Sequence, residues 1–113
     1  MQPVIAPEPI RETRGDDWIW PLRFRNAQDA PVDLTGCLFD GAAIKWLGGE
    51  LPLTVQNGRL VVDPQAGAVT INVARNDTAP VPAGRRSRLV LPITDTLDRK
   101  STLIIIRISI REP

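Results

Sequence analysis

Apolar and polar positions alternate with a period of two in several segments of the chain, which is the pattern of half-buried strands. Residues 17–25, DWIWPLRFR, place Trp18, Trp20, Leu22 and Phe24 on one face and Ile19, Pro21, Arg23 and Arg25 on the other. Pro21 lies in the outward set and lacks a backbone donor, so it marks an edge strand or a local bulge. Residues 68–74 put Val69, Ile71 and Val73 inward with Thr70 and Asn72 outward, and residues 86–94 put Leu89, Leu91 and Ile93 inward. In residues 102–111 Ile104, Ile106, Ile108 and Ile110 share a face. The opposite face begins apolar, with Leu103 and Ile105, and ends polar, which predicts a cover over both sides of that half.

Other segments are less regular. A strand is predicted over residues 37–47, where the alternation breaks at Asp40-Gly41; a β-bulge there would return Ala42, Ile44 and Trp46 to the inner face. Gly48-Gly49 ends that strand, and Asn57-Gly58 predicts a hairpin between residues 51–56 and 59–62. Residues 26–31, 63–67 and 95–100 have turn composition. Residues 75–84 form a connection in which Asn76 or Asp77 can cap a single helical turn before the prolines stop it.

Eleven prolines are spread through the chain. They exclude long helices and limit every strand. About six or seven short strands at regular spacing predict an all-β fold, an Ig-like antiparallel β-sandwich, with a small open barrel as second choice. Residues 16–113 are assigned to this single domain. Residues 1–15 are proline-punctuated and aperiodic, an extended N-terminal arm. Its apolar Val4, Ile5 and Ile10 suit docking on the chain's own domain or on a neighbouring subunit. The expected core is Trp18, Trp20, Leu22, Phe24, Ile44, Val69, Ile71, Val73, Leu89, Leu91, Ile93, Ile104, Ile106 and Ile108.

Composition narrows the chemistry. The chain has no histidine, which excludes Ser-His-Asp, Cys-His and imidazole acid–base catalysis. Its single cysteine, Cys37, excludes an internal disulfide and reads as a small buried apolar residue. The carboxylate groupings Asp16-Asp17, Asp29 with Asp33, and Asp95 with Asp98 lack calcium-loop spacing and fall in turns, so no metal, cofactor or catalytic residue is assigned. Fourteen cations against thirteen anions leave a net charge of +1, too little surplus for a dedicated nucleic-acid binder. Arg85, Arg86 and Arg88 form the densest basic run; a solvated strand start is favoured there over an anion patch. No apolar run of about 18 residues is present, so no membrane span is expected, and the opening residues do not read as a secretory leader.

Four segments follow one another in a distinctive order: Gly15-Asp16-Asp17 before a strand, then Pro31-Val32-Asp33-Leu34-Thr35-Gly36, then Asp77-Thr78, then Val81-Pro82-Ala83-Gly84 before another strand. This order resembles the small β-sandwich domain at the N-terminus of tailed-phage upper baseplate proteins and related small tail or accessory structural proteins. The strand after Gly84, RRSRLVLPI, departs from the aromatic–acidic signature of that family. The resemblance implies a non-enzymatic virion structural protein, a tail or baseplate accessory or adaptor that works by assembly. Capsid decoration and a carbohydrate-binding β-sandwich module are the alternatives, the latter because Trp18 and Trp20 share a face. The expected partners are other virion proteins and repeated copies of the chain, with no nucleic acid and no membrane. The expected partner-binding residues are Val4, Ile5, Ile10, Pro21, Leu103 and Ile105.

Overall fold

A computed structural model describes residues 10–113, without the side chains of residues 101–104. The described residues are nearly all β, with 50% in strands and 4% in helix. In order, the elements are β1 (Ile10–Thr13), β2 (Trp18–Arg23), β3 (Ala43–Trp46), β4 (Gly49–Pro52), β5 (Leu60–Asp63), β6 (Ala68–Val73), the helical turn α1 (Arg75–Thr78), β7 (Gly84–Thr94) and β8 (Lys100–Arg111). They form a five-stranded sheet, β1-β8-β7-β3-β4, and a three-stranded sheet, β2-β6-β5.

Each sheet turns its alternating apolar face to a common core, as in a β-sandwich. Trp18, Trp20, Leu60, Val69, Ile71 and Val73 come from the smaller sheet, and Ile44, Leu89, Leu91, Ile93, Ile106, Ile108 and Ile110 from the larger one. The expected core residues are buried, with two exceptions. Leu22 is half-buried near the end of β2, and the side chain of Ile104 lies outside the described residues. Loop residues complete the core: Leu34, Phe39, Leu53 and Val81 are all buried. Alternation along strands gave no warning of them, because each projects inward from a connection that crosses between the sheets.

Part of the segment assigned to the arm belongs to the sandwich. β1 pairs in parallel with β8, Ile10 opposite Ile108 and Thr13 opposite Arg111. Ile10 packs against the core. Buried indoles need acceptors for their N–H groups, and β1 supplies both. Trp18 Nε1 donates to the Thr13 carbonyl oxygen at 2.9 Å, and Trp20 Nε1 donates to Glu12 Oε1 at 2.9 Å. These bonds tie the edge of one sheet to the edge of the other. Replacing Glu12 with leucine leaves the Trp20 donor unmatched, and urea denaturation should register a loss of about 1–3 kcal/mol.

Three local expectations are corrected. Asn57-Gly58 does not join a hairpin, because β4 lies in the larger sheet and β5 in the smaller. The Asn57 side chain instead organises a crossing turn, its Oδ1 accepting from the Thr54 and Arg59 amides. Hairpins form instead at β3–β4, closed at Leu47-Gly48 with Trp46 opposite Gly49, at β5–β6 and at β7–β8. A side chain at Gly49 would meet the Trp46 indole at 2.9–3.1 Å, so the pair needs glycine there. Residues 37–42 are not a regular strand: Leu38 makes one isolated bridge to Thr94, and Asp40-Gly41 is a turn with Gly41 at φ +89°, not a bulge. Ala42 and Ile44 do reach the core, whereas Trp46 is half-buried at the rim. The helical turn is capped by Ala74 rather than Asn76 or Asp77, and the Arg75 amide donates to Asp17 Oδ1 at 2.7 Å from the start of β2.

Candidate functional site

The most distinctive surface is the outer face of the larger sheet. In the register of β4, β3, β7 and β8, Glu50 lies opposite Lys45, Lys45 opposite Arg88, and Arg88 opposite Arg107. Three cations therefore stand side by side across neighbouring strands, an arrangement that destabilises an isolated sheet. One shift in the β7–β8 pairing enlarges the group. Gly84 faces Ile110 and Ser87 faces Ile108, so Arg85 and Arg86 both lie opposite Ser109 in a β-bulge. Strict alternation would send one of the two inward. The bulge leaves both exposed while Ser87 is buried.

Arg85, Arg86, Arg88, Arg107 and Ile105 line one shallow hollow, and Lys45, Trp46, Leu47, Arg86 and Arg88 line the next. Ile105 is 57% exposed and Leu47 85% exposed. Among the described residues, ion pairs form at Arg14, Arg25, Arg59, Arg75 and Arg99, and none of these belongs to the basic face.

The end of the sandwich at the β7–β8 turn is acidic on balance, four aspartates against Arg99, which pairs with Asp95 at 2.9 Å, and Lys100. Asp95 and Asp98 lie in that turn, and Leu38 pairs with Thr94 at its base, which brings the 33–41 connection alongside with Asp33 and Asp40. Two large aliphatics are open to solvent here as well, Leu38 at 57% and Leu97 at 70%. Cys37 is half-buried behind these carboxylates. Desolvation, and then the charges of Asp95 and Asp33, push its thiol above the ordinary value, which keeps it protonated and poorly nucleophilic at neutral pH.

Two of the aspartates organise their own loops. Asp33 Oδ1 accepts from Thr35 Oγ1 at 2.6 Å and from the Thr35 amide at 2.9 Å, which holds its carboxyl below the usual carboxylate range. Asp95 is lowered mainly by the Arg99 amide, with help from the Leu97 amide and the Arg99 guanidinium. A folded-state value depressed below the ordinary 3.8 stabilises the fold above that pH and loses the contribution as pH falls through the folded value. Denaturation midpoints should therefore be level near neutrality and fall below about pH 3.8, and Asp33→Asn with Asp95→Asn should flatten that acid limb.

The residues singled out for partner binding scatter. Ile105 joins the basic face. Ile10 faces the core, and Pro21 is exposed in β2, an edge strand of the smaller sheet, opposite Thr70. Val4 and Ile5 lie outside the described residues, as does the side chain of Leu103. Trp18 and Trp20 stack at 5.7 Å with 17° between their planes, but both are buried, so they offer no platform to a sugar ring. Lys45 and Arg107 were missed because neither is near Arg85, Arg86 and Arg88 in sequence; only strand register unites them. Among the described residues no group of three or more metal-ligating side chains converges. No family model matches the chain, and a search of curated proteins finds no match.

Proposed function

We propose that the chain is a non-enzymatic structural protein of a tailed-phage virion or phage-like particle, a tail or baseplate accessory or adaptor built on an Ig-like sandwich. The observation behind this reading is where the four ordered segments fall. The chain crosses between the sheets at β1–β2, β2–β3, β4–β5 and β6–β7. Gly15-Asp16-Asp17 occupies the first crossing, residues 31–36 the second, and Asp77-Thr78 with residues 81–84 the last.

These segments have physical work at the joints. Buried Thr78 accepts from the Gly15 amide at 3.1 Å and lies 2.8 Å from the Asp16 carbonyl oxygen, fastening one crossing to another. Gly36 turns at φ +77°, where an added Cβ would meet Thr96 at 2.8 Å. These residues set the path of the chain, and the resemblance rests on them, which supports the reading.

In this reading the protein acts through surfaces. The edge strands β1, β4 and β5 have four residues each, and β2 is interrupted by Pro21, so the sheet edges are poor templates for strand addition. Faces and termini are the better candidates for contact with other virion proteins. Electron microscopy of particles made without the protein should show missing or unattached tails. Normal, infectious particles would overturn the reading. Removing residues 1–9, which spares Ile10 and β1, should reduce incorporation into particles without changing the melting temperature; full incorporation would make the arm a bystander.

A further inference from the structure

We infer that copies of this chain stack head to tail, the basic outer face of the larger sheet in one copy receiving the acidic β7–β8 end of the next. The inference deepens the assembly part of the proposed function, and it names the surfaces. It starts from a row of like charges. Lys45, Arg88 and Arg107 are direct cross-strand neighbours, and Arg85 and Arg86 join them through the bulge. A sheet face with this arrangement is stabilised by an anionic surface laid over it.

The complementary charge, the excess of Asp33, Asp40, Asp95 and Asp98 over Arg99 and Lys100, lies in the same molecule but out of reach. Arg88 and Asp95 are seven positions apart along β7 and the turn after it, about 23 Å at strand spacing. That is more than twice the screening length of about 8 Å at physiological ionic strength. Intramolecular attraction between the two surfaces is therefore largely screened, whereas a second copy brings them into contact.

Apolar residues also match. Leu47 and Ile105 are exposed on the basic face, and Leu38 and Leu97 at the acidic end. A phosphate backbone has no use for such aliphatics, whereas a protein surface that buries leucine among paired charges does. Because the two surfaces differ, the contact is heterologous, and it builds a ring or an open stack according to the angle between copies.

The test uses the full chain and two double variants. Arg88→Glu with Arg107→Glu reverses the face, and Asp40→Lys with Leu97→Lys reverses the end; none of these side chains makes a hydrogen bond or ion pair among the described residues. In sedimentation velocity the unmodified chain should self-associate at low salt, and a tenfold rise in ionic strength should weaken the association about tenfold or more. Each variant alone should be monomeric. Mixing the two should restore association, which also shows that both are folded. A monomeric unmodified chain, association that survives either reversal, or a mixture that stays monomeric would overturn the inference. So would a chain that remains monomeric but binds duplex DNA or polyglutamate through Arg88 and Arg107. A monomer that still copurifies with particles overturns the stacking and leaves the virion reading intact.

Discussion

Replacing Trp18 with alanine will cost about 3–5 kcal/mol in a denaturation experiment, enough to unfold much of so small a domain. Trp18 is fully buried, stacks on Trp20, and donates its indole N–H to Thr13. Alanine removes the packing volume, the stacking and the tie to β1 together, and the core cannot collapse over so large a void. Trp18→Phe separates these effects. It keeps most of the apolar area but strands the Thr13 carbonyl oxygen, and should cost about 1–2 kcal/mol. If the alanine variant loses less than about 1 kcal/mol, β2 does not face the core in this phase.

The second large effect is expected at Gly67. Its φ is +63°, and an added Cβ would meet the Val32 and Phe24 carbonyl oxygens at 2.6 and 2.8 Å. All of these neighbours are backbone, tied together because the Phe24 amide donates to Gly67 and the Val32 amide to Phe24. Gly67→Ala therefore combines left-handed strain of about 1–2 kcal/mol with overpacking of about 1–3 kcal/mol. Gly58 is the control: it is also left-handed, at φ +78°, but nothing lies within 4 Å of the added atom. Gly58→Ala should show the strain alone, so equal losses at the two positions would refute the close approach.

These residues also show what the sequence could and could not reveal. Strand phase was readable wherever one face is buried and the other wet, because a one-residue slip would expose every apolar side chain. That is why Trp18, Ile71, Leu89 and Ile108 could be placed in the core directly. Partner choice between strands was not readable. Asn57-Gly58 is a strong local turn signal, but the tertiary structure uses it to cross between sheets, while Leu47-Gly48 closes a hairpin just before it. The arm ending at residue 15 lost its last strand to the sandwich because a four-residue parallel edge is too short to show a period. The basic face was only partly visible: the Arg85, Arg86 and Arg88 run is plain, but Lys45 and Arg107 join it through register, and the bulge that turns Arg85 outward has no local signature.

A building block of a particle, as proposed for this chain, stays with the particle through purification. Quantitative mass spectrometry of density-gradient-purified particles tests it most directly. The chain should copurify with the particles at a fixed copy number, a multiple of the symmetry of one ring, and stay with the tail fraction when heads and tails are separated. Its absence from purified particles, with recovery only as free protein, would rule out a structural role in the virion.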